Sequence, residues 1–453
     1  MNISIIGLGK LGSPMAAVLA SKGHTVIGVD LNEDFVRSIN EGRAPVVEPG
    51  LDELIQKSHA RLSATTDFKA AVANSEVTFI IVPTPSDPQG GFSLRYVMSA
   101  IEEIGQALKQ KNEFHLVVLT STVMPGSTGG EVLPALEQHS GKRCGRDFGL
   151  CYNPEFIALG SVVHDMLNPD FILIGESDSH SGDILASIHT GACDNTPAFA
   201  RMNFMNAELT KLAVNTYVTT KISYANMLAQ VCEQLPGADV DVVTSALGLD
   251  TRIGRKYLKG ALGYGGPCFP RDNVAFSHLA RQIGANAGLA EATDRVNREQ
   301  VAWLADIVMG QLPSNGKVGI LGLSYKPNTN VIEEAQGLEL ARQLSSRGVA
   351  LVLYDPAAME NARASFKGEA LFATSMEECT QQSDVVVITT PWDEFKALSP
   401  ESLNHSNGRP SIVDCWRILP REEYETSVNY VALGRGPQQE DAQLYTTAVA
   451  GND

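Results

Sequence analysis

The sequence predicts an α/β protein with two doubly wound parallel-sheet domains joined by a central helical segment, and three observations carry that expectation. The 453 residues fill two or three domains at roughly 150 residues each. Short β-branched runs alternate with longer helical patterns near both ends of the chain, which is the rhythm of βαβ units on a parallel sheet. Between those ends, over residues 200–300, strand signals vanish and helical periodicity takes over.

The first rhythm runs as strand 3–6, helix 13–21 and strand 25–29, followed by strands 77–82 and 116–119. It returns as strand 317–321, helix 335–346 and strands 350–353, 385–389 and 411–413. The two halves also echo each other. Gly23-His-Thr-Val-Ile-Gly-Val-Asp30 resembles Gly348-Val-Ala-Leu-Val-Leu-Tyr-Asp355, and Ser75-Glu-Val-Thr-Phe-Ile-Ile-Val-Pro83 resembles Ser383-Asp-Val-Val-Val-Ile-Thr-Thr-Pro391, so the domains read as related. In the helical segment Met205, Leu209, Leu212 and Ala213 keep apolar spacing. Glu208, Lys211, Asn215, Thr219 and Ser223 form a polar row on one side, either a solvated face or a row aimed at a site. The expected division is 1–200, 201–300 and 301–436, with a polar, patternless tail over 437–453.

Composition narrows the function. Apolar residues make up 43 % and charged residues 19 %, which excludes disordered and fibrous chains. A net charge of −17 repels nucleic acid and anionic lipid, so a phosphate-bearing ligand must be held by local donors. The seven cysteines are widely spaced with no Cys-X-X-Cys pair, which argues against a disulfide framework or a metal site and for a reducing compartment. Met1 leads straight into an apolar strand, and no apolar run approaches the ~20 residues of a membrane span. A cytoplasmic protein without nucleic-acid or membrane partners is expected.

Gly7-Leu-Gly-Lys-Leu-Gly12 follows the first strand and opens the first helix, and Asp30 ends the second strand. In that context Gly7 permits a tight turn, Gly9 lets the backbone approach a pyrophosphate, and Gly12 lets helix pack on strand, with Leu8, Lys10 and Leu11 completing the loop. Asp30 would accept hydrogen bonds from a ribose and repel a 2′-phosphate, which selects NAD over NADP. Gly319-Ile-Leu-Gly322 in the second half lacks the triplet, so that domain is expected to bind something else.

The sharpest local signal is Gly263-Tyr-Gly-Gly-Pro-Cys-Phe-Pro-Arg-Asp272. Three glycines form a loop whose amides can face a phosphate or a sugar, and Cys268 ends it with Arg271 and Asp272 in the next turn. A cation beside a thiol favours the thiolate, the form that attacks carbonyls.

With these motifs, Val82-Pro-Thr-Pro85, Ser121-Thr-Val-Met-Pro-Gly126, Asn153-Pro-Glu-Phe156, Ala207-Glu-Leu-Thr-Lys-Leu-Ala-Val-Asn215, Gly322-Leu-Ser-Tyr-Lys-Pro327 and Tyr354-Asp-Pro356, the chain resembles the UDP-glucose/GDP-mannose dehydrogenase family over nearly its whole length. The resemblance implies two Rossmann-like domains around a helical dimerisation segment. It also implies NAD-dependent, four-electron oxidation of the C6 alcohol of a nucleotide hexose to a carboxylate through a thioester on Cys268. Lys211 and Asn215 would hold the developing oxyanion, Asp272 and Thr122 would serve proton transfers through a water, and Glu155 would be the base for hydrolysis. Val82, Pro83, Thr84, Pro85, Ser121 and Thr122 would flank the nicotinamide. Glu155, Phe156, Lys211, Asn215, Tyr257, Gly263, Tyr325, Lys326 and Arg417 would meet the substrate, with Arg252 reaching in from a second copy of a homodimer.

The chain departs from that pattern at several places. Leu159 replaces an acid, Phe171 and Glu333 replace arginines, Arg271 replaces a lysine, and Asp414-Cys-Trp-Arg417 displaces an arginine by one position. These changes bear on substrate and cofactor binding more than on the cysteine chemistry. UDP-glucose is the first-choice substrate, with GDP-mannose or a UDP-N-acetylhexosamine next. A two-electron hydroxyacid dehydrogenase needing no thiol and a catalytically impaired nucleotide-binding homologue stay open as rivals.

Overall fold

A computed structural model describes residues 1–403 and 408–437; the predicted tail from residue 438 on lies outside the described residues. The chain divides into two compact units, Met1–Val214 and Asn215–Asp453, with the division falling inside the long helix Phe204–Glu233.

The first unit holds an eight-stranded sheet of β1 (Asn2–Ile6), β2 (Thr25–Val29), β3 (Leu62–Thr65), β4 (Val77–Ile80), β5 (His115–Leu119), β6 (Phe148–Tyr152), β7 (Phe171–Glu176) and β8 (Ala198–Met202). Its order is β3-β2-β1-β4-β5-β6-β7-β8, and every described pairing is parallel except that of β6 with β7. The second unit holds β9 (Lys317–Leu321), β10 (Ala350–Tyr354), β11 (Leu371–Phe372), β12 (Val385–Ile388), β13 (Ser411–Asp414) and β14 (Asn429–Ala432), all parallel in the order β11-β10-β9-β12-β13-β14. The first six strands of each sheet thus follow one winding. Both are the predicted doubly wound domains, joined by a helical segment.

Helices cover both faces of each sheet, so the strands read as continuous apolar runs and not as alternating ones. Successive residues still point to opposite faces. Leu116 and Val118 join the core cluster on one side of the first sheet, and Val117 and Leu119 the cluster on the other. Val385 and Val387 are likewise separated from Val386 and Ile388 in the second sheet. The predicted strand over 77–82 ends at Ile80, because Pro83 and Pro85 carry no amide for a ladder and the Val82 amide turns to a side chain.

In both sheets the winding reverses beside the first strand, where β1 lies between β2 and β4 and β9 between β10 and β12. Loops leaving these strands open the crevice in which such sheets bind ligands.

Candidate active site

The loop after β1 has the shape that its glycines predict. Gly7 adopts φ 99°, and a Cβ on it would collide with the Ile81 carbonyl; a Cβ on Gly12 would collide with the Gly7 carbonyl. Gly9 differs, because no protein atom lies within 4 Å of where its Cβ would be. Two glycines are therefore required by packing, while Gly9 faces open space. Asp30 Oδ2 accepts from the Leu8 amide at 2.7 Å and Oδ1 from the Asn32 amide at 2.8 Å, which fixes the carboxylate at the loop and leaves each oxygen a further lone pair. Leu8 is buried, Leu11 packs into the core and Lys10 is exposed. These residues fit NAD, with the loop and helix amides for the pyrophosphate and Asp30 for the ribose.

The loops after β4 and β5 are tied together. Ser121 Oγ accepts from the Val82 amide at 2.9 Å and donates to the Val82 carbonyl at 2.6 Å, while Thr84 Oγ1 donates to the Thr122 carbonyl at 2.7 Å. Pro83 and Pro85 stand exposed on this platform.

After β6, Asn153 anchors the turn that presents Glu155. Its Nδ2 donates to the Leu173 carbonyl at 2.9 Å, and its Oδ1 accepts from His189 Nε2 at 2.7 Å. Burial holds His189 down at about 4, so its ring is neutral and donates through Nε2. Lys211 Nζ donates to the Glu155 carbonyl at 2.6 Å and sits 4.5 Å from the Phe156 ring centroid. Burial pushes the Glu155 carboxyl up to about 7, against the opposing pull of Lys211. The departure at Phe171 is accounted for here, because its ring packs on Phe156 at 4.9 Å. Leu159 packs against the core of the first unit, and the neighbouring amides of Gly160 and Val162 are held by the Glu48 carboxylate at 2.9 and 2.7 Å.

The polar row on the Phe204–Glu233 helix is buried, not solvated. Glu208 and Thr219 are fully buried, and Lys211, Asn215 and Ser223 nearly so. A surface helix normally hides its apolar stripe; this one hides polar groups and leaves Tyr217, Tyr224, Met227 and Val231 exposed at helical spacing.

In the second unit Cys268 is exposed and stands at the N-cap position of the helix Phe269–Gln282, where the helix dipole favours negative charge. The stretch leading to it is strapped down. Asn226 takes the Ala261 amide and the Leu262 carbonyl at 2.9 Å each; Asn297 takes the Tyr264 amide at 2.7 Å and its carbonyl at 3.0 Å. The Gly266 amide donates to the Glu333 carbonyl at 2.9 Å, and a Cβ on Gly265 or Gly266 would strike Glu334 or the Tyr325 ring. Glu333, the charge-reversed position, thus holds the cysteine loop through its backbone with its side chain exposed. Gly263 faces the side chains of Asn297 and Gln336. Asp272, almost fully buried, accepts from Asn215 Nδ2 at 2.6 Å and from Arg271 at 3.2–3.3 Å.

The loop after β9 repeats the first loop with a difference. Gly322 adopts φ 109°, a Cβ on Gly337 would strike the Gly322 carbonyl, and Asp355 Oδ2 accepts from the Leu323 amide at 2.7 Å. These correspond to Gly7, Gly12 and Asp30. Between the two glycines, however, lies an inserted segment carrying Tyr325 and Lys326, with Lys326 Nζ 5.7 Å from the Tyr325 ring centroid. Asp355 is also saturated, taking the Ser324 amide and hydroxyl and the Trp392 indole besides, and it is buried. A ribose has no place on it, in line with the expectation that this domain binds something other than a dinucleotide.

Tyr257 is exposed at φ 63° and meets Phe269 edge to face at 6.1 Å. Arg252 is exposed and chelates Asp250 in its own loop at 2.6–3.2 Å. The Arg417 side chain is wholly buried, paired bidentately with Asp241 at 2.7 and 2.8 Å and donating to the Gly260 and Leu433 carbonyls at 2.6 Å each. Its guanidinium therefore braces the strapped stretch from below. Sequence reasoning missed Glu48, His189, Asn226 and Asn297, none of which belongs to a local motif. Among the described residues no cluster of three or more His, Cys, Asp or Glu is placed to hold a metal, and no helix is long and apolar enough to cross a membrane.

Three domain models of the UDP-glucose/GDP-mannose dehydrogenase family match the chain: the NAD binding domain over residues 1–192, the central domain over 205–299 and the UDP binding domain over 319–421. The UDP-glucose 6-dehydrogenase AglM of Haloferax volcanii is 37 % identical over 435 residues, covering 94 % of this chain and 100 % of the relative. The GDP-mannose 6-dehydrogenase of Pseudomonas aeruginosa is 35 % identical, covering 93 % and 97 %. The structure of a UDP-glucose dehydrogenase from the hyperthermophilic archaeon Pyrobaculum islandicum superposes with a TM-score of 0.86 at 34 % identity, covering 96 % and 97 %. With all three domains matched in order around the NAD loop and the cysteine loop, this chain belongs to the UDP-glucose/GDP-mannose dehydrogenase family, NAD-dependent nucleotide-sugar 6-dehydrogenases.

Proposed function

We propose that the chain oxidises the C6 alcohol of a nucleotide hexose to a carboxylate, with UDP-glucose as the substrate and Cys268 as the nucleophile. The observation that carries this reading is the cysteine itself, exposed at a helix N-terminus on a stretch held by Asn226, Asn297 and Arg417. NAD, when bound, accepts a hydride in each of the two oxidations.

The first oxidation takes a hydride and a proton from the alcohol and leaves an aldehyde. The Cys268 thiolate adds to the aldehyde carbon, and loss of a second hydride and the hydroxyl proton leaves a thioester. Water then cleaves the C–S bond, giving the carboxylate and returning the thiol. Lys211 and Asn215, four positions apart on one helix, supply a cation and an amide donor for the oxyanion of the alcohol and of the thiohemiacetal. Asn215 has two amide hydrogens, so holding Asp272 leaves one for this task. Asp272 and Thr122 pass protons through a water. Glu155, with its carboxyl near 7, is poised to deprotonate the hydrolytic water at neutral pH.

Residues 1–200 bind NAD in this reading, 201–300 carry the dimer contact, and 301–436 hold the nucleotide. Tyr257 stacks on the base, Lys326 pairs with the diphosphate, and Phe156, Gly263 and Tyr325 line the sugar. Arg252 serves the neighbouring copy of a homodimer, which the exposed row Tyr217, Tyr224, Met227 and Val231 supports, since such a stripe marks an interaction surface. Arg417 acts from beneath, by bracing Gly260.

The test follows NADH absorbance with UDP-glucose, GDP-mannose and UDP-N-acetylglucosamine as separate substrates. Two NADH per UDP-glucose, and loss of at least about 10³-fold in rate for Cys268→Ser, support the proposal. Preference for GDP-mannose moves the substrate assignment. One NADH per substrate with Cys268→Ser unaffected, or tight binding without turnover, overturns the mechanism.

A further inference from the structure

We propose that Glu208 is a positioning residue for this reaction, holding the Thr122 loop and the Lys211 helix in one register. The proposal rests on the roles assigned above to Thr122 and Lys211.

Glu208 is fully buried, and each of its carboxylate oxygens takes one main-chain amide: Oε2 that of Gly126 at 2.6 Å and Oε1 that of Thr128 at 2.7 Å. Those amides end the Ser121–Gly126 turn and open the helical stretch Thr128–Val132, which runs on into Leu133–Ser140. Helix-starting amides have no intrahelical acceptor, and a carboxylate satisfies both their hydrogen bonds and their partial charge. The turn begins with Ser121 and Thr122, which are pinned to Val82 and Thr84. Gly126 at φ 99° lets the chain double back toward the helix.

Glu208 lies one turn before Lys211 on the Phe204–Glu233 helix. Lys211 grips the Glu155 carbonyl at 2.6 Å, so the helix is attached at one point to the Thr122 loop and at the next to the Glu155 turn. Burial pushes the Glu208 carboxyl upward, and its hydrogen bonds with Thr128 and Gly126 pull it back. Local capping alone needs no residue from a distant helix, because a Ser, Thr, Asp or Asn beside the helix start would do it. A glutamate drawn from some eighty residues away instead fixes where the loop stands relative to Lys211. A misplacement of about 1 Å in such a group costs up to about 10²-fold in rate.

The experiment is a double-mutant cycle on the full chain with UDP-glucose and NAD. Glu208→Gln keeps the shape and one acceptor but opposes an NH₂ to one amide. It is expected to lower kcat about tenfold while KM for both substrates moves less than about twofold. Combined with Lys211→Ala it is expected to add little to the loss caused by Lys211→Ala alone. A merely structural Glu208 would give losses that multiply, and that result overturns the inference, as does an unchanged kcat in Glu208→Gln. If the Gln variant does not fold, Glu208→Asp, which keeps the charge and is one methylene too short for both amides, carries the same expectations. An inert Lys211→Ala overturns instead the oxyanion role on which the inference rests.

Discussion

Replacing Glu155 by glutamine tests the electrostatics of the site through stability and the hydrolytic step through turnover. The carboxyl stands at about 7 against an ordinary 4.5. A carboxylate raised in the folded state keeps a proton that the unfolded chain has given up between those values, so its stability contribution is complete below 4.5 and is lost as pH rises through 7. At about 1.4 kcal/mol per unit the loss is about 3 kcal/mol. Glutamine has no charge to expose, so urea unfolding should show Glu155→Gln gaining about 3 kcal/mol on the wild type between pH 4 and pH 8. In the wild type kcat should rise with pH around 7, falling about tenfold by pH 6 if hydrolysis limits turnover. In the Gln variant mass spectrometry should find the sugar acyl group retained on Cys268. A stability difference that stays constant across the window would refute the reasoning, because Glu155 would then be an ordinary solvated acid.

The glycine loop yields a contrasting pair. Gly12→Ala should lose at least about 2 kcal/mol in thermal unfolding, since its methyl meets the Gly7 carbonyl. Gly9→Ala should fold within about 0.5 kcal/mol of the wild type yet bind NAD at least about tenfold more weakly by calorimetry. Arg417→Met should cost about 2 kcal/mol in urea unfolding, chiefly because it removes the donor to the Gly260 and Leu433 carbonyls. Asn297→Ala should cost about 2–4 kcal/mol by the same measure, leaving the amide and carbonyl of buried Tyr264 unpaired, and should lower kcat more than it raises KM.

Much of the fold was legible because its signals are local. Strand 25–29 needed only β-branched residues between Gly23 and Asp30, and β9 matched its predicted bounds for the same reason. Strands β3, β6, β7, β8, β11 and β14 escaped; β3, β8, β11 and β14 lie at sheet edges, where a few residues are set by their neighbours and not by their own pattern, while β6 and β7 lie inside the first sheet. In the dinucleotide loop Gly7 and Gly12 could be read residue by residue, as each answers to a separate steric demand. The polar row was visible as a row, but whether water or protein covers it depends on partners far along the chain, such as Gly126 for Glu208 and Asp272 for Asn215. Asn297 gave no sign at all, for an asparagine bonding a backbone 33 positions away looks like any helical asparagine.

The strapping of residues 260–266 decides what kind of moving part this segment can be. With main-chain groups claimed by asparagines on two helices, a buried arginine and the backbone of Glu333, it has no cheap way to swing on its own. It is therefore no flap. Any opening must carry the thiol along with its supports as one block, and the amide protons of Ala261 and Tyr264 should be among the last in the second unit to exchange with deuterated solvent.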